Sequence, residues 1–317
     1  MSKPHKSLDL LIIGAGIAGL TAGLYAARMK LNTLILEDAL VGGQIRDAYI
    51  VENYPGLPKV KGSDLVKTLE QQALEAGAVL DEFDQVLSAK LTAAEKVVET
   101  HSAVYQPQAV ILAGGMERRQ LPIAEEKRFR SHGIHYCELC DGHLYEGKTV
   151  AVVGGGNAAA GALKVLSKYA KKLYLIHRSP QMTAEPTEQQ AALDLPNTEF
   201  LFQTQILSAA GETELQRVVV ENVHTKEQRT LDLDGIFVNI GVIPRTSLYS
   251  QDITLHASGH IIAGESCETN VPGVFAAGDI RTKPIRQLTT AAADGTVAAL
   301  LAERYLTKQK DTKIKQE

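Results

Sequence analysis

The sequence is poor in cysteine, has no excess of positive charge and contains no long apolar run. Three cysteines among 317 residues are too few for a disulfide scaffold, and they favour a reducing compartment such as the cytoplasm. A net charge of −4 provides no basic field that would attract nucleic acid. No apolar stretch reaches the roughly 18 residues needed to span a bilayer. These absences argue against secreted disulfide-rich, nucleic-acid-binding and membrane proteins, and the length predicts two ordinary domains.

A glycine-rich turn near the N-terminus predicts a dinucleotide-binding unit. The segment LDLLIIGAGIAGLTAGLYAARMKLNTLILED reads as strand, turn, helix and strand, with GxGxxG at Gly14, Gly16 and Gly19. Gly14 permits the tight turn, Gly16 lets the backbone approach a pyrophosphate, and Gly19 allows close packing of helix on strand. Glu37 ends the second strand, roughly 20 residues after the first glycine, where an acid accepts hydrogen bonds from a ribose.

A second unit of the same kind lies in the middle of the chain. KTVAVVGGGNAAAGALKVLSKYAKKLYLIHRS carries GxGxxA at Gly154, Gly156 and Ala159. His177 and Arg178 stand where the first unit has its acid. An acid selects a free 2′-hydroxyl, whereas a cation suits a 2′-phosphate, so the two units predict two different dinucleotides. The alternative for His177 and Arg178 is an ordinary solvated strand end.

A third signal lies near the C-terminus, in VPGVFAAGDIRTKPIRQLTTAAADG. A short apolar strand ends at Gly278 and Asp279, and a helix of small residues begins near Arg286 and Gln287. Asp279 could hydrogen-bond the ribityl chain of FAD or could cap a helix, and the two roles can coexist. The helix N-terminus could face the flavin.

These positions predict an α/β fold made of two Rossmann-like, three-layer ββα dinucleotide-binding domains, one inserted into the other. Residues 1–115 and 245–317 are expected to form a split FAD-binding domain. Residues 116–244 are expected to form the NAD(P)H-binding domain, which also carries a CxxC motif. The connections should lie near 113–122 and 239–246, which are rich in glycine and proline.

The segment HYCELCDGH is the strongest candidate for chemistry. Cys137 and Cys140 are spaced as CxxC, and Asp141 follows at once. A redox disulfide is one interpretation. A zinc site is another, because His135 and His143 would complete four tetrahedral ligands. Two inert buried thiols are the third, and these residues alone do not decide among them.

With its motifs in this order, the chain resembles the low-molecular-weight thioredoxin reductases. The resemblance extends from IIGAGIAGLTAGLYAAR through VGGQI, VENYPG, CELCDG, VAVVGGGNAAA and LIHRS to GVFAAGDI and IRQLTTAAADG. It implies FAD, NADPH, a homodimer, and reduction of the active-site disulfide of thioredoxin. It also implies rotation of the inserted domain, because a CxxC pair cannot contact the flavin and a protein substrate at once.

The resemblance also implies roles for individual residues. Cys140 would be the thiol that contacts the flavin, Cys137 would attack the disulfide of thioredoxin, and Asp141 would protonate the leaving thiolate. The NAD(P)H site would use Gly154, Gly156, Ala159, His177 and Arg178. FAD would be held by Gly14, Gly16, Gly19, Glu37, Gly43, Gln44, Asn53, Gly278, Asp279, Arg286 and Gln287.

The chain departs from the family pattern at the clamp for the 2′-phosphate. The usual signature is HRRxxxR, whereas this chain reads HRSPQMT, with Ser179 and Thr183 in place of two arginines. Each lost charged hydrogen bond should weaken NADPH binding by about 1–3 kcal/mol. The electron donor could therefore be NADPH held less tightly, NADH, or reduced ferredoxin.

Two other functions compete with a disulfide reductase. A ferredoxin–NADP reductase would share the two domains but lacks the CxxC. A non-catalytic flavin scaffold or redox sensor would have no need for Asp141 beside the cysteines. We also expect Glu138, between the two cysteines, to disfavour the thiolate, whereas a protonated His135 would favour it. Cys267 has no partner in the sequence and is expected to be a free or partly buried thiol.

Overall fold

The structure is a computed structural model that describes residues 3–46, 48 and 50–314, and the chain divides into two compact units. The first unit contains residues 1–117 and 243–317, and the second contains residues 118–242. Within the part of the chain that is described, no helix is long and apolar enough to cross a membrane.

Strands alternate with helices in two stretches of the chain, residues 5–82 and 116–201, as in other α/β proteins. In chain order they are β1 (His5–Ile13), α1 (Ile17–Arg28), β2 (Thr33–Glu37), α2 (Gly62–Glu75), β3 (Val79–Glu82), β4 (Val86–Leu91), β5 (Lys96–Thr100), β6 (Val104–Leu112), β7 (Met116–Arg118), α3 (Glu126–Phe129), β8 (Ile134–His135), α4 (Glu138–Asp141), β9 (Thr149–Val153), α5 (Asn157–Leu166), β10 (Lys172–Ile176), α6 (Pro186–Leu193), β11 (Thr198–Leu201), β12 (Thr204–Ala210), β13 (Arg217–Asn222), β14 (Gln228–Asp232), β15 (Gly235–Val238), β16 (Val242–Pro244), β17 (Val274–Ala276) and α7 (Leu288–Ile314).

The first unit is built on a seven-stranded sheet in the order β3-β2-β1-β6-β5-β4, with β17 also paired to β6. The strands β3, β2, β1, β6 and β17 run parallel, whereas β4 and β5 form an antiparallel hairpin. Strand β1 is apolar on both faces because both are covered. Leu10 and Ile12 pack into the core beneath the helices, and Leu11 and Ile13 pack into the core on the other face.

Helices α1 and α7 pack closely in this unit because small residues line their contact. A Cβ added to Gly295 of α7 would lie 2.2 Å from the carbonyl oxygen of Ala18 in α1. Ala298, Ala299 and Ala302 of α7 lie fully buried in the same core. The alanine-rich sequence that follows GDI therefore serves as a packing face against the first glycine-turn helix.

The second unit has three layers. Its central sheet is fully parallel, in the order β11-β10-β9-β15-β8. Val150 and Val152 of β9 pack on the side of α5, whereas Ala151 and Val153 pack toward the antiparallel sheet β12-β13-β14. The structure thus confirms an α/β protein with two sheets of the dinucleotide-binding type, of which one is fully parallel and the other is parallel apart from the β4–β5 hairpin. Each glycine turn follows a parallel strand at its carboxyl end, where open α/β sheets bind ligands.

The boundaries between the units fall within the stretches 113–122 and 239–246. Strands β7 and β16 contain these boundaries, and they pair as a two-stranded sheet. The backbone there follows a short ladder, in which Arg119 donates its N–H to the carbonyl of Gly241 at 3.1 Å.

Candidate active site

In the first glycine turn, Gly14 and Gly19 are packed closely against other backbone atoms, whereas Gly16 has free space around it. Gly14 has a φ of +107°, and a Cβ there would lie 2.5 Å from the carbonyl oxygen of Ala113. A Cβ on Gly19 would lie 1.8 Å from the carbonyl oxygen of Gly14, so α1 packs directly on the turn. Among the described residues beyond its chain neighbours, none has an atom within 4 Å of a Cβ built on Gly16, and Gly43 faces the Cα of Gly16. Such an open backbone at the start of a helix suits a pyrophosphate.

The acid of this unit, Glu37, lies buried at the end of β2. Its carboxylate accepts the N–H groups of Ala15 at 2.8 Å and Ala39 at 3.3 Å. Burial, with a hydrogen bond to Asp38, raises the pKa of Glu37 to about 7. The same hydrogen bond lowers the pKa of Asp38, which also pairs with Arg245 at 3.1 Å. The two acids therefore share a proton near neutral pH, and sequence reasoning missed both Asp38 and Arg245.

Hydrogen bonds link other flavin candidates of the first unit to distant parts of the chain. The side-chain amide of Gln44 donates to the carbonyl of Met116 at 2.7 Å. The side-chain amide of Asn53 donates to Oε1 of Gln287 at 3.4 Å, so the motifs VENYPG and IRQL meet in space. Arg286 is half-buried and directly precedes Gln287 at the start of α7.

The GD motif after β17 is held by a buried carboxylate that sequence reasoning did not single out. Gly278 has a φ of +82°, and its N–H donates to Oδ2 of Asp294 at 2.9 Å. Asp294 also accepts from Nε of Arg281 at 2.8 Å and from Nζ of Lys283 at 2.7 Å. Asp279 lies half-buried in the same turn. The carboxylate thus fixes the backbone where a flavin-binding segment was predicted.

The second glycine turn has the same closure as the first. Gly154 has a φ of +144°, and a Cβ there would lie 2.2 Å from the carbonyl oxygen of Asn239. Gly156 directly precedes α5, and the nearest atom to a Cβ built on it is Oγ1 of Thr183, at 3.9 Å. Ala159, the third residue of the fingerprint, is fully buried.

His177 and Arg178 follow β10, but they face different surroundings. A Cβ on Gly155 would lie 2.4 Å from Cε1 and Nε2 of His177, so the imidazole covers the middle of the glycine turn. Burial lowers the pKa of His177, which leaves its ring neutral at pH 7. Arg178 is exposed. The backbone N–H groups of Thr183 and Ala184 donate to the carbonyl of Gly155, a contact that the sequence did not reveal.

Cys137 and Cys140 form a disulfide, with their Cα atoms 5.3 Å apart. Cys137 directly precedes α4, and the N–H groups of Cys140 and Asp141 donate to its carbonyl oxygen at 3.2 and 3.0 Å. The single turn of helix is what brings residues three apart together. Of the three interpretations of the sequence, the structure shows the disulfide.

Asp141 is part of a chain of polar side chains. Its Oδ2 lies 3.2 Å from Nδ1 of His135, and Nε2 of His135 lies 2.6 Å from the hydroxyl of Tyr145. The ring of His135 stacks on Phe237 with 5.4 Å between ring centroids. Sequence reasoning named His135 as unusual but missed Tyr145, which becomes a neighbour only because β8 lies beside β15.

The two remaining candidates are Glu138 and Cys267, and burial shifts the pKa of each. Burial raises the pKa of the Glu138 carboxyl, and the positive charge of Arg118 opposes this shift only in part. Cys267 is a free thiol, as predicted, and it is fully buried, which raises the pKa of its thiol to about 11. Its distance in sequence and its burial separate it from the disulfide chemistry of Cys137 and Cys140.

Known proteins match the chain over nearly its whole length. A protein of the rubredoxin operon of Clostridium pasteurianum, described by its mass of 34.2 kDa, is 48% identical over 304 residues, which cover 96% of this chain and 99% of that protein. The thioredoxin reductase of Peptoclostridium acidaminophilum is 38% identical over 94% of this chain and 96% of its own length.

The solved structures agree with these sequence matches. The crystal structure of thioredoxin reductase from Streptococcus pyogenes MGAS5005 superposes with a TM-score of 0.90 at 32% identity, and the match covers 95% of this chain and 99% of that one. The profile of the pyridine nucleotide-disulphide oxidoreductases matches residues 8–295. The resemblance found in the sequence is confirmed, and the chain belongs to the pyridine nucleotide-disulphide oxidoreductase family.

Proposed function

We propose that this protein is a thioredoxin reductase, which passes two electrons from NADPH through FAD and the Cys137–Cys140 pair to the disulfide of thioredoxin. The observation that carries the proposal is the disulfide itself, closed by one turn of helix with Asp141 next in the chain. The relatives named thioredoxin reductase support the same substrate. We further propose a cytoplasmic homodimer, as the family resemblance implies.

The split unit, 1–115 and 245–317 in our division, is proposed to hold FAD. Its residues fit the group, because the backbone at Gly16 is open and Glu37 is buried at the strand end. FAD would supply a two-electron carrier between a nicotinamide and a disulfide. The protein would bind the pyrophosphate at the start of α1 and orient the flavin through the turn at Gly278.

The inserted unit, 116–244, is proposed to bind NAD(P)H and to carry the redox pair. Cys140 would face the flavin and Cys137 would attack thioredoxin. Asp141 would give its proton to the leaving sulfur, and the turn of α4 would keep the second thiol close enough to resolve the mixed disulfide.

Trapping the intermediate tests these roles. Cys140→Ser leaves Cys137 without its resolving thiol, so a stable mixed disulfide with thioredoxin should accumulate. Cys137→Ser is the matched control, and it should form little of this adduct. Non-reducing electrophoresis with mass spectrometry measures both. Trapping only by Cys137→Ser would reverse the assignment, and equal trapping by the two variants would refute distinct roles for the two cysteines.

The donor is proposed to be NADPH, with Arg178 as its remaining cation for the 2′-phosphate. The closed turn at Gly154 and the approachable backbone at Gly156 support a nucleotide at this site. NADH is the second candidate because Ser179 and Thr183 replace the other two clamp arginines. Reduced ferredoxin is the third, for the same reason.

Anaerobic reduction of the purified flavoprotein distinguishes the donors. NADPH, NADH and reduced ferredoxin are added in separate cuvettes, and bleaching of the flavin is followed. Fast bleaching by micromolar NADPH supports the proposal. Arg178→Ser should then weaken the binding of NADPH but leave the binding of NADH unchanged. Arg217→Ser, which removes an exposed arginine from the antiparallel layer, is the matched control. Bleaching by NADH alone or by ferredoxin alone would refute NADPH.

A further inference from the structure

A hydroxyl, an imidazole and a carboxylate form a continuous chain beside the redox pair. The hydroxyl of Tyr145 lies 2.6 Å from Nε2 of His135, and Nδ1 of His135 lies 3.2 Å from Oδ2 of Asp141. His135 has a side-chain exposure of 6%, whereas Asp141 has 28% and so reaches water. The chain therefore begins in the core and ends at the residue next to Cys140.

The partners fix which nitrogen of His135 carries the proton. Burial raises the pKa of Tyr145, so its phenol keeps its proton and donates it to Nε2. Nε2 is then the acceptor, and Nδ1–H donates to Oδ2 of Asp141. Phe237 stacks on one face of the ring, with 25° between the planes, and this packing holds the imidazole in line.

We propose that His135 is a positioning residue that orients the Asp141 carboxyl for the proton transfer that it makes in each disulfide exchange. The inference rests on the proposed disulfide reductase activity. When a substrate disulfide is resolved, its S–S bond breaks, the bonding electron pair goes to the leaving sulfur, and a new S–S bond forms between Cys137 and Cys140. The leaving thiolate takes one proton from Asp141. Water, which reaches Asp141, returns a proton to the carboxylate that remains, while the Nδ1–H of His135 holds this carboxylate in place.

The charges around this chain are mixed. Glu214 and Asp234, with Asp141 itself, act on the hydroxyl of Tyr145 from the loops around it. Lys148 lies over the ring of Tyr145, with Nζ 5.1 Å from its centroid. Phe237, on the neighbouring strand, is neutral. The imidazole is thus the member of this group that joins the hydroxyl of Tyr145 to the carboxyl of Asp141 and holds that carboxyl in position.

Leaving-group chemistry separates proton supply from packing. A dialkyl disulfide, such as bis(2-hydroxyethyl) disulfide, releases a basic thiolate that needs a proton. Dithionitrobenzoate releases an acidic aromatic thiol, whose thiolate leaves without one. A defect in proton supply should therefore slow the first reaction and spare the second. A loss of packing should slow both.

The experiment is a single turnover of FAD-loaded enzyme that has been reduced with dithiothreitol and freed of it. Each disulfide is mixed with wild type, His135→Gln or Tyr145→Phe at several pH values, and oxidation of the cysteine pair is counted by alkylation and mass spectrometry. Tyr145→Phe keeps the ring packing, so it tests the chain even where His135→Gln folds poorly. His132→Gln is the matched control, because His132 also pairs with a carboxylate, that of Glu214 at 3.1 Å, but at an exposed site.

We expect His135→Gln to slow the dialkyl reaction about tenfold and Tyr145→Phe about threefold, with the deficit growing as the pH rises and protons become scarce. The reaction with dithionitrobenzoate should stay within about twofold of wild type in both variants. In an Asp141→Asn background, His135→Gln should cause no further loss, because it acts through that carboxyl.

Three results would overturn the inference. Equal slowing of both disulfides would assign His135 to packing alone. A rate for Tyr145→Phe that matches His132→Gln at every pH would remove the hydroxyl from the chain. Full additivity with Asp141→Asn would show that His135 acts independently. A wild type that reduces neither of these disulfides nor the disulfide of thioredoxin would instead refute the proposed function, and this inference with it.

Discussion

Replacement of Asp294 by asparagine should destabilise the first unit far more than removal of one of its cationic partners. Arg281, Lys283 and Asp294 have side-chain exposures of only 7%, 6% and 8%. Two cations thus share one buried carboxylate, which also accepts the N–H of Gly278. Asp294→Asn leaves both cations without a countercharge, and breaking such a pair costs about 3–5 kcal/mol.

The matched variant is Lys283→Met, which leaves Arg281 and Asp294 as a balanced pair with its bidentate geometry intact. The methionine also keeps the apolar stem of the lysine. Removing one hydrogen bond to a charged group costs about 1.5–3 kcal/mol of stability. In Lys283→Met the removal of an excess buried positive charge offsets part of this loss. The structure therefore predicts a clear order, with Asp294→Asn more harmful than Lys283→Met.

Thermal unfolding of the FAD-loaded and FAD-free proteins measures the difference. A loss of 3–5 kcal/mol corresponds to a fall of about 6–20 °C in Tm for a unit in this size range. Both forms are needed because bound FAD stabilises the folded state by mass action. FAD retention on gel filtration should also fall in Asp294→Asn, since the turn at Gly278 loses its anchor. Equal Tm values for the two variants would refute the charge argument.

Three further predictions follow from single contacts. Gly155→Ala should destabilise the second unit, because its Cβ would meet the ring of His177 at 2.4 Å, whereas Gly161→Ala, with open space within 4 Å among the described residues, should raise stability by about 0.5–1 kcal/mol; urea unfolding compares them. Glu138→Ala should speed alkylation of the reduced cysteines, because a negative charge on Glu138 disfavours the reactive thiolate. The gain should grow as pH rises, because burial raises the pKa of Glu138 and its charge therefore forms only at higher pH. A rate unchanged at all pH values would contradict this. Glu37 has a folded pKa raised from 4.5 to about 7, so the native state binds the extra proton and stability should fall as pH rises through that window; Tm against pH should lose this slope in Glu37→Gln.

Local patterns in the sequence predicted the strand–turn–helix units well, because each depends on residues close together in the chain. Gly14 and Gly154 occupy backbone conformations with positive φ, and these follow from the fingerprint spacing alone. The helix α1 begins directly after Gly16, and β2 ends at Glu37 as predicted. The CxxC disulfide is equally local, since one turn of α4 suffices to close it.

The sequence could not predict the side-chain partnerships that depend on tertiary packing. Asp294 meets Arg281 only because α7 folds back along β17, and no spacing rule connects them. Tyr145 meets His135 because the segment after α4 returns over β8 and β15. In both cases the participants are ordinary polar residues in sequence. Their chemistry comes from burial, which depends on elements that lie far apart in the chain.

The two nucleotide sites share a backbone but differ in how charge is placed around it. In the first, Glu37 is buried and its carboxylate accepts backbone N–H groups, so solvent ions screen its charge only weakly. In the second, the neutral ring of His177 lies against the glycine turn, and Arg178 alone of the predicted pair is exposed. An exposed charge acts through solvent and is screened over about 8 Å at physiological ionic strength. A preference for NADPH over NADH that depends on Arg178 must therefore weaken as salt is added. A preference that depended on buried arginines around the 2′-phosphate would persist.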